Sequence, residues 1–201
     1  MIAETIVRLK IMLDHVEPAV LRRIEVPFDI RLDRLHLTIQ AAMGWTNSHL
    51  YEIRAGDVRW STPYPHADWA GEFLDARKAR LGDVLEDVGV KTLRYLYDFG
   101  DGWEHTIRIE RLIDPEPGTL YPRLIAANGR CPPEDVGGPW GYAELLEAIH
   151  DPKHERHADL SDWIPENFDP NDADTNALDA EVAMLAKKWL RKPAKKPARR
   201  S

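Results

Sequence analysis

The chain has 201 residues, 43% of them hydrophobic, which is enough for one domain with a real core. Its net charge of -7 disfavours phosphate binding by most of the chain, and its single cysteine excludes an internal disulfide and indicates a reducing compartment. No apolar stretch approaches the ~18 residues that a membrane-spanning helix requires, and no signal peptide is recognisable. We therefore expect a cytoplasmic protein with no membrane partner.

The first half of the chain alternates hydrophobic and polar residues in short runs. This period of two predicts a hairpin of strands at Thr5–Leu13 and Ala19–Val26. Apolar residues on one helical face then predict a helix over Leu32–Met43, and Gly44 follows as a residue suited to the helix C-terminus. The next alternating run predicts a second hairpin that turns at Ala55–Asp57.

The second half changes from strands to helices. Residues 61–80 and 114–139 are predicted to be irregular, with a short helix at residues 81–89. An Asp-Gly pair between two alternating runs predicts a third hairpin around residues 98–102, and Pro139 begins a predicted series of helices. The order predicts an α+β fold, with a mixed or antiparallel sheet of hairpins, one early helix and a C-terminal helical cluster packed on it.

The last residues have a different composition from the rest. Eight of the 27 basic residues lie within residues 187–201, where there is no acidic residue, so the preceding chain is more acidic than the net charge implies. Residues 187–201 are therefore predicted to be a basic, disordered tail, since their last ten residues, "KPAKKPARRS", have two prolines and no apolar face. The tail either keeps the protein soluble or makes weak contacts with nucleic acid or another acidic surface.

The segment "YDFGDGWEH", residues 97–105, has two interpretations. In the structural one, Asp98 or Asp101 accepts hydrogen bonds from turn amides, the glycines adopt positive φ, and Trp103 packs in the core. In the functional one, a carboxylate and the imidazole of His105 form an acid/base pair or a metal site.

The segment "RCPPEDVGG", residues 130–138, is the second candidate. It is either a rigid linker whose acids, Glu134 and Asp135, cap the following helix, or one side of an opening. Cys131 is either a small buried residue or a thiolate nucleophile. His49, in "GWTNSHLYEI", is likewise either structural or part of a site. Nucleotide-binding and common hydrolase motifs such as GxGxxG, GxxxxGK[ST], HExxH and GxSxG are absent from the sequence.

Four segments together resemble the plasmid pRiA4b Orf-3-like family, which includes transposon passenger proteins labelled TnpR-like. They are, in this order, "AAMGWTNSHLYEI", "YLYDFGDGWEHTI", "CPPEDVGGPWGYAELLEAI" and "DPKHERH" with "WIPENFDP". The resemblance implies a compact α+β domain, which we place at residues 1–186, and an association with mobile elements. It implies no particular reaction. A serine recombinase would need a nucleophilic serine among arginines, and no serine here lies in such a cluster.

Two hypotheses of function follow. The first is a module that binds a protein, peptide or other ligand in an aromatic-rich cleft formed by the 61–80 loop and the "CPPED" segment. The second is an acid/base or metal-assisted enzyme, since the polar residues of three motifs fall at turns and strand ends. Catalytic residues, cofactor and metal are left unassigned. The candidate pocket comprises His49, Asp98, Asp101, Trp103, His105, Cys131, Glu134, Asp135 and Trp140.

Overall fold

A computed structural model describes residues 5–63, 73–165 and 168–190. Its strands are β1 (Ile6–Leu13), β2 (Leu21–Pro27), β3 (Tyr51–Ala55), β4 (Val58–Ser61), β5 (Leu74–Asp75), β6 (Thr92–Tyr97), β7 (Trp103–Ile113) and β8 (Arg123–Asn128). Its helices are α1 (Leu32–Met43), α2 (Leu81–Val88), α3 (Gly138–His150), α4 (His157–Ser161) and α5 (Thr175–Trp189).

All the strands within the described ranges belong to one mixed sheet. The strand order is β5-β4-β3-β6-β7-β1-β2-β8, and each pair is antiparallel except β4 with β5. The predicted α+β class, with an early helix and helices at the end, is confirmed. The sheet places the β6–β7 turn beside the start of β3, because β3 and β6 pair from Tyr51 with Tyr97 onward.

The core lies between one face of the sheet and the helices. Every second residue of β1, from Val7 to Leu13, is buried on this face, as the alternation predicts. Helix α1 buries Leu35 and Ile39 against it, and α5 packs on α1 and β8. Helix α1 ends at Gly44, whose φ of 87° is favourable only for a residue without a Cβ.

Two strands lie in stretches that we predicted to be irregular. β5 pairs with β4, and β8 forms the edge of the sheet beside β2. A proline and a glycine flank β8 closely. Because both residue types favour turns, the sequence predicted an irregular stretch where the structure has a strand of six residues. Arg123 on β8 donates to the fully buried carboxylate of Glu25 on β2, at 2.6 Å, and Arg8 on β1 binds the same carboxylate. This row of cross-strand pairs holds β8 on the sheet.

The C-terminal helix extends into the segment that we assigned to the tail. α5 continues to Trp189, so Lys187 and Lys188 form its last turn, where positive charge complements the helix dipole. Residues 191–201, on which the prediction of a disordered tail depends, lie outside the described residues. Among the helices that the structure describes, none is both long and apolar enough to cross a membrane.

Two histidines are buried among the core aromatics. His105 on β7 is fully buried, and its Nδ1 lies 3.0 Å from the Trp103 carbonyl oxygen and 3.2 Å from that of Tyr95. Since both neighbours are acceptors, Nδ1 carries the proton and donates. His36 on α1 is almost as deeply buried. Burial lowers the pKa of each imidazole to about 4, so both are neutral near pH 7.

This burial makes stability depend on pH. In the unfolded chain both histidines have a pKa of about 6.5, so between pH 6.5 and 4 the unfolded state binds more protons than the folded state. We predict that the free energy of unfolding falls as pH falls through this window, by up to ~1.4 kcal/mol per pH unit for each histidine. His105→Leu removes one titrating group and should make the decline shallower in urea melts.

His150→Leu is the matched control, because His150 is exposed in the last turn of α3. If burial is the cause, the slope of stability against pH should change less in His150→Leu than in His105→Leu. Equal slopes for wild type and His105→Leu would contradict this account of His105.

Candidate functional site

Three segments that are distant in sequence meet at one end of the sheet. They are residues 45–49 after α1, the β6–β7 turn at residues 98–102, and residues 131–137 before α3. The indole Nε1 of Trp45 donates to the Pro132 carbonyl oxygen at 3.0 Å. The backbone N–H of Gly137 donates to Asp101 Oδ2 at 3.1 Å. The motifs that the sequence analysis selected therefore lie side by side.

The carboxylate of Glu134 connects the three segments. Its Oε1 accepts from the Thr46 backbone N–H and from the Tyr97 hydroxyl, both at 2.9 Å, and its Oε2 accepts from the Thr46 hydroxyl at 2.7 Å. Burial raises the pKa of Glu134, but these hydrogen bonds outweigh it and hold the pKa below its usual value. The Tyr97 oxygen in turn accepts from the backbone N–H groups of Ser48 and His49, at 3.0 and 3.3 Å.

The β6–β7 turn agrees with the structural interpretation of "YDFGDGWEH". Asp98 Oδ1 accepts from the Gly100 N–H at 2.9 Å, and the Gly102 N–H bonds the Asp98 carbonyl at 2.7 Å. Asp98 and Gly102 have φ values of 55° and 70°. Because Oδ1 of Asp98 is held inside the turn, its Oδ2 is left to face the neighbouring segment.

That neighbour is His49, whose imidazole lies between two carboxylates. Nδ1 lies 3.7 Å from Asp98 Oδ2, and Nε2 lies 3.2 Å from Asp135 Oδ1. Nε2 is buried, yet within the described chain it has no hydrogen-bond partner, since Asp135 is not aligned to form one. One nitrogen of His49 and one oxygen of each aspartate lie within 4.8 Å of one another, close enough to hold a metal ion together.

A cleft of about 720 Å³ opens beside this cluster. Its lining comes from α1, from residues 47–51, from residues 61–63 with Arg77, and from residues 98–100. His49 and Asp98 belong to the lining. The size is that of a typical small-molecule site, and its position at strand ends and turns is a common one for binding sites.

A buried polar network supports the floor of the cleft. Gln40 Nε2 donates to the Tyr95 hydroxyl at 2.8 Å. Asn47 Oδ1, 2.6 Å from His36 Nε2, can only accept, so Nε2 carries the single proton of the neutral ring and Nδ1 accepts from the Tyr95 hydroxyl at 2.9 Å. His36 also stacks on Tyr51, with ring centroids 3.6 Å apart. The network fixes Asn47 at the cleft edge.

The candidate residues from the sequence divide into two groups. His49, Asp98, Asp101, Glu134 and Asp135 come together at the junction of the three segments. Trp103 and His105 lie in the core beneath Trp45 and do not line the cleft. Burial therefore excludes His105 from solvent-accessible acid/base chemistry and from the cluster that could hold a metal.

The two remaining candidates have contrasting environments. Cys131 packs against the core, and burial raises the pKa of its thiol far above the usual value, which opposes a thiolate role. Trp140 is 89% exposed on the first turn of α3. Trp60 on β4, next to the predicted 61–80 loop, is 5% exposed and belongs to the core.

The sequence analysis missed several residues that build the site. Thr46 and Tyr97 bind Glu134, and His36 and Asn47 border the cleft. A signal existed for His36, which lies next to Leu35 on the apolar face of a predicted helix, where a polar residue needs a partner. The pairing of Thr46 with Glu134 spans 88 residues and has no local signal.

The junction also depends on close contact between α3 and the β6–β7 turn. Gly138 has a φ of 70°, and a Cβ at this position would lie 2.2 Å from the Asp101 carbonyl oxygen. We predict that Gly138→Ala lowers the free energy of unfolding by about 2 kcal/mol beyond the cost of the positive φ itself, because the backbone of the junction must move. Urea denaturation measures this loss.

Gly89→Ala is the control for the backbone term. Gly89 has almost the same φ, 69°, but a Cβ there would meet nothing within 4 Å. Its substitution should cost only about 1–2 kcal/mol, the penalty for a left-handed residue. Equal losses of unfolding free energy in the two variants would show that the close approach of Gly138 to Asp101 does not affect stability.

Comparison with known proteins agrees with the resemblance seen in the sequence. A curated relative, the uncharacterized protein y4hQ of Sinorhizobium fredii (strain NBRC 101917 / NGR234), is 53% identical over 193 residues, or 96% of this chain and 98% of that protein. The crystal structure of MM3350, a protein of unknown function from Methanosarcina mazei Go1, matches with a TM-score of 0.78 and 32% identity, covering 87% of this chain and 97% of that one. The sequence profile of the plasmid pRiA4b ORF-3-like proteins matches residues 5–177, and the chain belongs to this family.

Proposed function

We propose that this protein is a binding module whose ligand occupies the cleft beside His49 and Asp98. The cleft itself carries the proposal, because it combines a volume of about 720 Å³ with polar groups at its edge. His49, Asp98 and Asn47 supply charge and hydrogen-bonding capacity, while Leu37 and Phe99 supply apolar surface. A small molecule or a short peptide segment with both polar and apolar parts fits this lining.

The cleft agrees in part with the one that the sequence predicted. Residues 61–63 and Arg77 come from the predicted loop, although residues 64–72 lie outside the described ranges. The "CPPED" segment does not line the cleft and reaches its edge only through the contact of Asp135 with His49. Exposed Trp140 extends the potential contact surface beyond the junction.

The test uses isotope-labelled protein and a defined library of small metabolites and short peptides, followed by NMR. A cleft ligand should shift the amide resonances of residues 47–51, 61–63 and 98–100 and leave those of β8 unchanged. Leu37→Trp, which places an indole in the cleft from α1, should abolish these shifts. Leu112→Trp, at an exposed position on β7 outside the cleft, is the matched control and should bind as the wild type does.

Binding that is equal in wild type and Leu37→Trp would place the ligand elsewhere. A library that shifts no cleft resonance would oppose the proposal for the ligand classes tested. The first result would direct attention to the exposed face of Trp140.

The second candidate function is an acid/base or metal-assisted enzyme. The position of His49 between Asp98 and Asp135 at the cleft edge favours it, because a carboxylate-flanked imidazole suits proton transfer. Any ligand found by NMR should then be converted to product on prolonged incubation, as seen by mass spectrometry, and His49→Ala should stop conversion. A ligand that binds but is not converted would oppose the enzyme hypothesis and leave the binding module as the proposed function.

Location, genetic context and nucleic-acid contact stay predictions. A cytoplasmic location rests on the sequence alone, and an association with mobile elements rests on the family description. Nucleic-acid contact through the basic tail depends largely on residues 191–201, outside the described part of the chain.

A further inference from the structure

We propose that His49, Asp98 and Asp135 form a binding site for a divalent first-row transition metal ion. The inference goes beyond the proposed ligand cleft, because the three side chains offer a metal site whether or not an organic ligand binds beside them. Of the two candidate histidines in the predicted pocket, the site uses His49 and not the buried His105.

The ligand atoms are close enough for joint coordination. One nitrogen of His49 and one oxygen from each carboxylate lie within 4.8 Å of one another, and the His49 Nε2 to Asp135 Oδ1 separation is 3.2 Å. Bonds of about 2.0–2.2 Å from a metal to imidazole nitrogen and carboxylate oxygen place ligand atoms about 3 Å apart around the ion. Asp98 Oδ2 lies nearer to His49 Nδ1, at 3.7 Å, so the side chains must rotate to bring one nitrogen and both oxygens around a single ion.

Nε2 of His49 is one of four buried side-chain polar atoms without a hydrogen-bond partner in the described chain, and it differs from the other three in lying near a carboxylate oxygen. Nε2 is buried but forms no hydrogen bond within the described chain, although a carboxylate oxygen lies 3.2 Å away. A buried polar atom without a partner is costly, and metal coordination satisfies it. His49 Nε2 and Asp135 Oδ1 form no hydrogen bond with each other, but they are close enough to bind the same metal ion.

Hydrogen bonds hold the segments that carry the three ligands, although the Asp135 side chain itself is 67% exposed. The amide of His49 is bonded by the Tyr97 hydroxyl oxygen, and Asp98 Oδ1 is held by the Gly100 N–H, which leaves Oδ2 turned toward His49. Asp135 follows Glu134, whose carboxylate is anchored by Thr46 and Tyr97. Such anchoring lowers the entropic cost of metal binding, because the segments that carry the ligands are already ordered.

The local charge also favours a cation. In the described chain, the ion pairs of Asp98 and Asp135 are with His49 alone, so two carboxylates share one imidazole. The donor set of one nitrogen and two oxygens suits Zn²⁺ or Mn²⁺ better than Mg²⁺, which prefers oxygen ligands and retains its waters. Three protein ligands leave a further position open toward the cleft.

The test is isothermal titration of the full-length protein, purified without a metal-affinity tag, with Zn²⁺ alone. We expect about one equivalent to bind. His49→Ala, Asp98→Asn and Asp135→Asn should each weaken binding by more than about 10-fold, since even residues outside the coordination shell contribute about 10–100-fold to metal affinity. Asparagine tolerates the positive φ of both aspartates, so these two variants should fold.

His150→Ala and Asp179→Asn, at exposed positions on α3 and α5, are the matched controls and should bind Zn²⁺ as the wild type does. The proposal is overturned if Zn²⁺ does not bind, or if either Asp98→Asn or Asp135→Asn binds Zn²⁺ as tightly as the wild type does. Because the titration uses metal alone, its failure leaves the NMR test of the cleft unaffected, and failure of the cleft test leaves the metal result unaffected.

Discussion

The hydrogen bond from the Tyr97 hydroxyl to Glu134 connects the parts of the site. Tyr97 ends a central strand, and Glu134 belongs to an irregular segment 37 residues later. The same hydroxyl oxygen receives the backbone N–H groups of Ser48 and His49, and the same carboxylate receives Thr46. One phenol and one carboxylate therefore satisfy the polar backbone of a loop that would otherwise be unpaired. Without them, His49 has no fixed position relative to Asp98 and Asp135.

The site combines a well-supported framework with polar side chains at its centre whose hydrogen-bonding capacity is not fully used. The sheet, the core aromatics and the close contact of Gly138 with Asp101 hold the three segments together. At their junction, however, two acids face one histidine, and one imidazole nitrogen is unpartnered within the described chain. Proteins usually satisfy such groups, and exceptions concentrate where a ligand completes the structure. The same end of the sheet carries the cleft, so ion and ligand would meet at His49 and Asp98.

Local patterns predicted much of the fold. The alternation of β1, the apolar face of α1 and the Asp-Gly turn gave the right elements, because each depends on neighbours in sequence. β8 was missed because the proline and glycine around it outweighed six strand residues. The sequence named several of the residues that meet at the junction, but their convergence was not predictable, since Thr46 and Glu134 are 88 residues apart. His49 and His105 were both candidates, because the sequence shows a strand's alternation but not which histidine the core encloses.

The most direct test of the central claim is anomalous diffraction from crystals of the full-length protein grown with Zn²⁺, recorded on both sides of the zinc absorption edge. The account predicts an anomalous peak about 2.0–2.2 Å from a nitrogen of His49 and from oxygens of Asp98 and Asp135. Such a peak would show in one experiment that the three motifs converge and that they bind a metal. A peak elsewhere on the molecule, or none in crystals whose solution contains excess Zn²⁺, would contradict it.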